Sequence, residues 1–495
     1  MHLMYIDGEF VEAGDGGTTG VVNPANGGLI ATVPQATIAD LERAVAAAGK
    51  AFPKWARTTP GERSGLLNKL AGIVTSRARE FAEAETAHVG KPIRLSSGYD
   101  VPGSIDNISF FAGAARNLEG KAAAEYSPDH TSMIRREPVG VVGSVAPWNY
   151  PLQMAVWKLL PAVAAGNTIV LKPALISPLT ALMLAEACHE AGFPPGVVNV
   201  VTGPGRTVGQ ALMEHPGVAM VSLTGSTETG SMVMRAAAGT IKRVHLELGG
   251  KAPFVVMDDA DLEAAVQGAV AGALVNSGQD CTAATRAYVH RSLYQGFLSG
   301  VVATMGEVRL GDPMDPATDQ GPLASRRQQE AVTGFVQRAV ASGARVLCGG
   351  RPGGGDLARG AYYQPTVITG AAQDSEIVQH EVFGPVLVVL PFDDDEEAYT
   401  LANGVDFGLA ASIWTRDVSR ALEGTRRLHA GTVWVNDHLP VVSEMPHGGC
   451  KRSGAGKDQA QYSFDEYTLV KHVMIDLTAG VRKGWHRLVW SGPSA

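Results

Sequence analysis

The chain has 495 residues, of which 45% are apolar and 18% are charged, a balance typical of globular proteins with large buried cores. This composition excludes disordered and fibrous proteins, and the length predicts about three structural units. The net charge is −8, from 41 Lys and Arg against 49 Asp and Glu, without a long basic run. We therefore expect no nucleic-acid partner.

Cysteine usage and hydropathy indicate the cellular compartment. The four cysteines have neither metal-ligand nor CxxC spacing, so the sequence predicts no metal site and no disulfide scaffold. The N-terminus lacks a basic segment followed by an apolar core, and the longest apolar stretch, 382–392, is about half a membrane span. We expect a cytoplasmic protein with no membrane partner.

From about residue 140 onward, β-branched runs alternate with Ala/Leu-rich stretches of helical period. This alternation predicts an α/β fold with parallel sheets covered by helices. A first unit has strands at 169–171, 197–201, 219–222, 244–246 and 254–256, with helices at 152–165, 179–191, 207–214 and 227–237. A second unit has strands near 287–290, 386–389, 411–414 and 433–436, with helices near 262–275 and 326–341.

Two segments fit neither unit. Residues 131–136 and 468–473 read as long strands with polar residues on one face, and such ribbons often pair with another subunit. The Gly-rich segment 349–360 is typical of a surface loop, and the sequence after Thr478 is typical of a peripheral tail.

Two glycine-rich turns follow predicted strands. Residues 225–230 read Gly-Ser-Thr-Glu-Thr-Gly and open a helix, where backbone N–H groups suit an anion such as pyrophosphate. A second glycine loop spans 203–209. Neither matches the GxGxxG fingerprint, and a plain strand-to-helix turn is the alternative interpretation of the first.

Cys281 is surrounded by small and polar residues in Gly278-Gln-Asp-Cys-Thr-Ala-Ala284. Such surroundings suit an accessible thiolate better than a buried packing cysteine. Cys188 and Cys348 lie on apolar helix and strand patterns and are predicted to be inert, whereas the Gly-rich setting of Cys450 leaves its role open.

Two further motifs offer polar groups to such a thiol. Glu247 ends an apolar strand and precedes two glycines, and Asn149 stands in the turn between Pro147 and Pro151. An amide N–H held rigidly suits an oxyanion. A surface glutamate and an ordinary turn asparagine are the alternatives.

Together these motifs resemble those of the aldehyde dehydrogenase superfamily over nearly the whole chain, from Asn23 to Thr468. The interval of 34 residues from Glu247 to Cys281 is also the family's. The resemblance is carried by Pro147-Trp-Asn-Tyr-Pro151, Leu171-Lys-Pro173, Gly225-Ser-Thr-Glu228, Leu246-Glu-Leu-Gly-Gly-Lys251, Gly278-Gln-Asp-Cys281, Glu381-Val-Phe-Gly-Pro385 and Gly448-Gly-Cys-Lys-Arg-Ser-Gly454.

This resemblance implies a catalytic mechanism. Cys281 would attack the aldehyde carbonyl, while Asn149 and the Cys281 backbone N–H would hold the oxyanion of the thiohemiacetal. Hydride transfer to a nicotinamide would leave a thioester, and Glu247 would activate the water that hydrolyses it.

The resemblance also implies NAD or NADP as cofactor. Lys172 would bind the adenosine ribose, and Gly225 and Ser226 the pyrophosphate. Glu381 would hold the nicotinamide ribose with Phe383 beside the ring. The implied cofactor-binding residues are Val145, Ala146, Pro147, Trp148, Lys172, Ala174, Leu175, Gly205, Gly209, Gly225, Ser226, Leu248, Glu381 and Phe383.

The chain departs from the family pattern at Leu175, where a glutamate would bind both ribose hydroxyls and repel a 2′-phosphate. Lys172 remains available to a phosphate. We expect cofactor discrimination within about tenfold, or ~1.4 kcal/mol, with NAD slightly favoured. Arg206 would reverse this preference if its loop folded over the ribose.

Within the superfamily, three motifs look like those of the γ-aminobutyraldehyde (aminoaldehyde) dehydrogenase branch: Val442-Ser-Glu-Met-Pro-His-Gly-Gly449, Gly278-Gln-Asp-Cys-Thr-Ala-Ala284 and Phe464-Asp-Glu-Tyr-Thr468. An acidic group near the substrate would favour an ω-aminoaldehyde such as 4-aminobutanal. His447 suits other aldehydes equally, so a broad-specificity enzyme for aliphatic or aromatic aldehydes is the alternative. The implied substrate-binding residues are Asp106, Tyr150, Met154, Trp157, Asp280, Thr282, Glu444 and His447.

The family architecture implied is two Rossmann-like parallel-sheet domains and a β-ribbon that joins a homodimer or homotetramer. The expected segments are 1–119 and 139–249 for the cofactor, 250–455 for catalysis, 120–138 and 456–480 for the ribbon, and 481–495 as a tail. A non-catalytic structural protein and a coenzyme A-acylating dehydrogenase are further alternatives. The presence of Cys281, Glu247 and Asn149 argues against the first, and Glu247 argues against the second.

Overall fold

A computed structural model describes residues 2–120, 122–480 and 482–492. Residues 1, 121, 481 and 493–495 lie outside the described residues; the sequence assigns them to the first segment, the ribbon and the tail.

The N-terminal part is mainly helical, which the sequence analysis did not predict. Thr37 and Thr59 each form a capping box with the acidic residue three positions later, so the first two helices begin at defined residues. A π-helical turn, Ser96–Asp100, joins the last two helices. The elements are β1 (Met4–Ile6), β2 (Glu9–Val11), β3 (Thr18–Val22), β4 (Leu29–Pro34), α1 (Ile38–Trp55), α2 (Pro60–Ser76), α3 (Ala78–Val89), α4 (Ile93–Leu95) and α5 (Val101–Ala114).

Strands and helices then alternate as predicted. Every residue of the helix Pro151–Ala165 is buried, which explains why its sequence is apolar on all sides except at Gln153 and Lys158. The elements are β5 (Ala124–Ser127), β6 (His130–Pro138), β7 (Val141–Val145), α6 (Pro151–Ala165), β8 (Thr168–Lys172), α7 (Leu179–Ala191), β9 (Val198–Val200), α8 (Gln210–Glu214), β10 (Met220–Thr224), α9 (Thr227–Ala238) and β11 (Arg243–Glu247).

The remaining chain repeats the alternation, with several departures from the prediction. The helices Arg291–Glu307, Asp395–Asn403 and Val418–Arg427 were not predicted. The strand at 254–256, which the sequence assigns to the first unit, belongs to the second sheet, and the strand predicted near 287–290 begins at Ala284, only three residues after Cys281. The elements are β12 (Ala252–Val256), α10 (Leu262–Leu274), β13 (Ala284–His290), α11 (Arg291–Glu307), α12 (Arg326–Ala341), β14 (Arg345–Cys348), β15 (Thr366–Thr369), α13 (Glu376–Gln379), β16 (Val386–Phe392), α14 (Asp395–Asn403), β17 (Phe407–Gly408), β18 (Ala410–Trp414), α15 (Val418–Arg427), β19 (Thr432–Val435), β20 (Cys450–Lys451), β21 (Gly454–Ala455), α16 (Ser463–Tyr467), β22 (Thr468–Asp476) and α17 (His486–Val489).

Two large sheets organise the molecule, and the predicted α/β fold with two parallel sheets is confirmed. The first has the order β2-β1-β9-β8-β7-β10-β11-β21, in which β9 through β11 are parallel. The second has the order β14-β15-β16-β13-β12-β18-β19, parallel except at β14. Residues 454–455 close the first sheet, although the sequence assigns them to the catalytic segment.

A third, three-stranded sheet contains the two polar strands. β22 pairs antiparallel with β6 along its whole length, from Thr468 opposite Pro138 to Asp476 opposite His130. β5 completes this ribbon. A helix with the length and apolarity of a membrane span does not occur in the part of the chain that the structure describes.

Candidate active site

A cavity of about 500 Å³ opens where strands of the first sheet end, in the position where parallel α/β sheets bind ligands. β7, β10 and β11 end at its wall, and the loop before β13 supplies Cys281. Sixteen of the predicted site residues line this cavity: Pro147, Trp148, Asn149, Tyr150, Met154, Trp157, Gly225, Ser226, Glu247, Leu248, Asp280, Cys281, Thr282, Glu381, Phe383 and His447.

The turn before Cys281 has an unusual backbone. Asn276, Ser277 and Gly278 have φ of 47°, 57° and 71°, which is the left-handed region. A Cβ on Gly278 would lie 2.2 Å from the Gly384 carbonyl oxygen, so only glycine fits there. The Asn276 side chain donates to the Asn149 carbonyl at 2.8 Å. This turn thereby fixes Cys281 relative to Asn149.

The two glycines after Glu247 allow close packing. A Cβ on Gly250 would lie 2.1 Å from the Cys281 carbonyl oxygen, and a Cβ on Gly249 would lie 2.4 Å from Glu381 Oε2. Because any side chain would collide at either position, these glycines bring Cys281 and Glu381 against the end of β11.

The Cys281 thiol is half-buried at the cavity wall. Burial raises its pKa well above the ordinary value, and the carboxylates of Asp280, Glu381 and Glu247 raise it further. These surroundings favour the neutral thiol over the thiolate that the sequence predicts. Three carboxylates from separate segments surround the sulfur, and each disfavours a negative charge on it.

Asn149 is buried between β7 and α6, where it holds a fixed orientation. Its Nδ2 donates to the Gln279 carbonyl at 3.0 Å. An amide group carries two hydrogens, so the second is available to the cavity. The site thus offers a preorganised donor close to the cysteine loop.

Glu247 is buried at the end of β11. Neither of its carboxyl oxygens has a hydrogen-bond partner among the described residues. Burial raises its pKa well above the ordinary value, with a further contribution from Asp458. Once ionised, a carboxylate with a raised pKa is a stronger base than an ordinary carboxylate and is suited to take a proton.

Asp280 is held in a different way. Its Oδ2 accepts from the Tyr150 hydroxyl at 2.7 Å, and its Oδ1 accepts from the Thr282 backbone N–H and hydroxyl, each at 2.6 Å. Tyr150 in turn has the Lys91 ammonium 4.1 Å from its ring centre. Asp280 therefore presents a fixed, hydrogen-bonded carboxylate to the cavity.

Two predicted substrate acids lie outside the cavity. Asp106 is exposed on α5 and accepts a hydrogen bond from the Ser443 hydroxyl. Glu444, the next residue after Ser443, is exposed in the loop between β19 and β20. Ser443 also accepts from Asn107, which in turn accepts from the Trp157 indole N–H. Asp106 therefore reaches the cavity wall only through other side chains, and a role for either acid in substrate binding stays a prediction.

The residues predicted to bind the pyrophosphate, the nicotinamide ribose and the nicotinamide ring line the same cavity. Glu381 Oε1 accepts from the Gly250 N–H at 2.9 Å, and burial raises its pKa to about 7. Phe383 has a φ of 56° and its ring lies edge-on to Trp148 at 5.2 Å. Ser226 is the N-cap of α9, and its Oγ accepts from the Thr229 N–H at 3.2 Å.

The adenosine-side residues lie outside this cavity. Lys172 is buried, its ammonium donates to the Pro173 carbonyl at 3.0 Å, and burial lowers its pKa to about 8. A Cβ on Gly209 would lie 3.3 Å from Lys172 Cε. Leu175 lines a separate cavity of about 260 Å³ with Arg326 and Arg359. The predicted cofactor-binding residues absent from the wall of the first cavity are Val145, Ala146, Lys172, Ala174, Leu175, Gly205 and Gly209.

Several cavity residues were missed by the sequence analysis. Gln328 donates to the Phe383 carbonyl at 2.8 Å and so fixes that strained residue. Tyr99 lies in the π-helical turn, where the sequence predicted no element. Its aromatic character was the available signal. The missed lining residues include Leu95, Tyr99, Gln153, Gln328, Phe335, Leu439 and Val441.

Known proteins are similar to this chain in both fold and sequence. The aldehyde dehydrogenase family model matches residues 10–473. PnpE from Pseudomonas sp. WBC-3 is 41% identical over 98% of this chain and 100% of its own, with a TM-score of 0.96. An aldehyde dehydrogenase from Bacillus cereus, solved with NAD+, is 41% identical over 96% of each chain, with a TM-score of 0.94.

A more distant relative has a substrate in its name. Betaine aldehyde dehydrogenase from Staphylococcus aureus, solved with NAD+, is 37% identical over 97% of this chain and 98% of its own, with a TM-score of 0.95. The match to the family model and these identities extend over the segments that carry Asn149, Glu247 and Cys281. The chain belongs to the aldehyde dehydrogenase family.

Proposed function

We propose that this protein oxidises an aldehyde to the carboxylic acid with NAD or NADP. The observation that carries the proposal is the convergence of Cys281, Glu247 and Asn149 on one cavity. A thiol, an unpartnered carboxyl group and an oriented amide donor are the groups that acyl transfer through cysteine requires.

The surrounding residues fit a dinucleotide. The N-terminus of α9, opened by Gly225 and Ser226, offers backbone N–H groups to a pyrophosphate. Glu381 offers a half-buried carboxyl group to ribose hydroxyls, and Trp148 with Phe383 forms an aromatic wall. NAD or NADP, when bound, supplies the hydride acceptor.

The protein's own groups perform the remaining steps. As Cys281 Sγ bonds to the carbonyl carbon, its proton leaves to solvent and the oxyanion receives N–H donors from Asn149 and the Cys281 backbone. Loss of hydride from that carbon leaves a thioester on Cys281. Glu247 then takes a proton from water, the water oxygen bonds to the thioester carbon, and the C–S bond breaks to release the acid.

For the substrate, an ω-aminoaldehyde such as 4-aminobutanal is proposed. Asp280 supplies a carboxylate at the cavity wall next to the nucleophile, and Tyr150 and Trp157 supply aromatic faces to an ammonium. His447 contributes a neutral ring beside Trp157, because burial lowers its pKa to about 4. Met154 and Thr282 complete this part of the wall.

A broad-specificity oxidation of aliphatic or aromatic aldehydes is the second candidate. One observation favours it: the three donors on Asp280 already compensate its charge, so an ammonium would gain less there. The comparison of kcat/KM for 4-aminobutanal and butanal distinguishes the two, since only the first candidate predicts a large preference.

For the cofactor, we propose modest discrimination with NAD slightly favoured. Leu175 offers neither hydrogen bonds to ribose hydroxyls nor repulsion to a 2′-phosphate. Arg206 lies in the same helical turn as Gly209, which packs against Lys172. The proximity makes Arg206 a candidate second cation, and NADP would then gain.

We also propose the division of labour expected from the sequence, with the first sheet for the cofactor, the second for catalysis and the ribbon for assembly into a homodimer or homotetramer. Four apolar side chains of β22 support the last part because they are exposed: Leu469, Val470, Met474 and Ile475. Light scattering of the purified protein tests it.

The decisive assay for the proposed reaction is the aldehyde-dependent reduction of each cofactor, followed by the absorbance of the reduced nicotinamide. Reduction by the unmodified protein and its loss in Cys281→Ala are the expected results. An unmodified protein that reduces neither cofactor with any aldehyde of the panel would favour the non-catalytic alternative.

A further inference from the structure

Behind Glu247, buried polar atoms converge without hydrogen-bond partners. His245 lies two residues before Glu247 on β11, so both side chains point to the same face. His245 Nε2 lies 3.7 Å from Asp458 Oδ1 and 3.9 Å from Glu247 Oε1. None of these three atoms has a partner among the described residues. Unpaired buried polar atoms are costly, so their clustering calls for an explanation.

A hydrogen-bond chain sets the tautomer of His245. The Tyr467 hydroxyl donates to Ser222 Oγ at 2.9 Å, and Ser222 Oγ lies 2.8 Å from His245 Nδ1. A serine oxygen can accept two hydrogen bonds and donate one. We assign the Tyr467 hydrogen to one lone pair of Ser222 Oγ and the serine hydrogen to His245 Nδ1, which places the ring proton of the neutral imidazole on Nε2, facing Glu247 and Asp458.

Charged groups around the pair keep the imidazole neutral. Burial lowers the pKa of His245 well below its ordinary value, and the Lys158 ammonium lowers it further. Lys158, from α6, donates to Asp458 Oδ2 at 2.6 Å and leaves Oδ1 toward the ring. The other titratable groups that influence Glu247 from neighbouring elements are Lys457 and Asp458 before α16, Glu466 and Tyr467 on α16, and Cys281 across the cavity.

Two glycines enclose the pair. A Cβ on Gly456 would lie 2.4 Å from His245 Cδ2, and a Cβ on Gly448 would lie 2.3 Å from Glu247 Oε1. Both have positive φ, 98° and 149°. The chain from Gly448 to Gly456 thus packs directly on the two side chains and restricts the directions in which they can point.

We propose that His245 is a positioning residue that offers its Nε2–H to the Glu247 carboxylate, orients it and stabilises its ionised form. A small rotation of the Glu247 carboxyl group would shorten the distance of 3.9 Å between His245 Nε2 and Glu247 Oε1 to that of a hydrogen bond. Such contacts often tighten in the reacting complex. A donated N–H opposes the effects of burial and of Asp458, both of which disfavour the carboxylate. This inference rests on the proposed role of Glu247 as the base for thioester hydrolysis.

The test follows the hydrolysis step alone. Cys281 is acylated with p-nitrophenyl acetate, without cofactor, and decay of the acyl-enzyme is followed by intact mass between about pH 5.5 and 9. The acid limb of this decay reports the ionisation of Glu247. In His245→Leu, which removes the donor, we expect the limb to move up by about one pH unit, or about tenfold slower decay on the limb.

Conservative variants separate donation from packing. His245→Gln retains an N–H near the position of Nε2, so its acid limb should stay close to that of the unmodified protein. Tyr467→Phe removes the donor to Ser222, so that the ring proton of His245 can lie on either nitrogen. The acid limb of this variant should move to higher pH by less than that of His245→Leu. Tyr399→Phe is the matched control, since its buried hydroxyl has no hydrogen-bond partner among the described residues, and its limb should not move.

An unchanged acid limb in His245→Leu would overturn the proposal, as would equal shifts in the Leu and Gln variants. If His245→Leu does not fold, an unchanged limb in Tyr467→Phe overturns it instead. A protein that hydrolyses the acyl-enzyme but oxidises no aldehyde would refute the proposed reaction, while the His245 test would still be read from the same decay.

Discussion

Glu247 and Asp280 both present a carboxyl group to one cavity, yet the protein treats them in opposite ways. Glu247 is buried with neither oxygen hydrogen-bonded among the described residues, whereas Asp280 is half-buried and accepts three hydrogen bonds. The first arrangement raises the pKa of Glu247 and suits proton transfer. The second holds a fixed charge that can recognise a cation. Both groups lie near Cys281, so proximity does not decide their roles. The number of hydrogen-bond donors that each carboxyl group receives decides whether it suits a base or a group that recognises a cation.

The largest effect is expected from Glu247→Gln. A missing general base slows hydrolysis by about 10²- to 10⁴-fold, so steady-state turnover should collapse. The first turnover of reduced cofactor should persist, at a rate that rises with pH because the Cys281 thiol must lose its proton. Stopped-flow absorbance separates the two phases. Loss of the first turnover as well would assign thiol activation to Glu247 too.

Asp280→Asn sharpens the other side of the comparison. If Asp280 recognises an ammonium, the preference for 4-aminobutanal over butanal should fall by the value of one charged hydrogen bond, about 1.5–3 kcal/mol, or roughly 10- to 150-fold in kcat/KM. Asp106→Asn and Glu444→Gln, which change exposed acids outside the cavity wall, are matched controls. Equal kcat/KM for both aldehydes in the unmodified protein would favour the broad-specificity candidate.

Glu381 is a third carboxyl group, with an intermediate state and a smaller expected effect. It accepts a single backbone N–H, and its pKa is raised to about 7. A ribose needs the ionised form as acceptor, so cofactor KM should rise as pH falls below 7, by about tenfold for each pH unit. Glu381→Gln should flatten this dependence. The same rise in the variant would assign the effect to another group.

The smallest effect concerns Leu175, where the sequence lacks a carboxylate. Leu175→Glu should raise the NADP KM by up to about tenfold and restore a clear preference for NAD. Initial rates with both cofactors measure it. A strong NAD preference in the unmodified protein, or an unchanged NADP KM in the variant, would contradict the proposed role of this position.

The sequence predicted the strands that position the site because they are apolar runs whose ends carry short, specific motifs, as at β8, β10 and β11. It could not predict the ionisation of Cys281, since the acids around the sulfur come from positions 247, 280 and 381 and meet only in the folded chain. The helices α1 to α3 were also missed, although the capping boxes at Thr37 and Thr59 were readable signals. For Asp106 and Glu444, exposure is set by packing that the sequence pattern does not contain.

The central claim is that Cys281 carries the covalent intermediate and Glu247 resolves it. The most direct measurement is mass spectrometry of Glu247→Gln, both intact and after digestion, once the protein has reacted with 4-aminobutanal and NAD and the reaction has been quenched. The double variant Glu247→Gln/Cys281→Ala is the matched control. The account predicts an added acyl group that maps to the peptide containing Cys281 and is absent from the double variant. An adduct on Cys188, Cys348 or Cys450 instead, or reduced cofactor formed with no adduct at any cysteine, would contradict it.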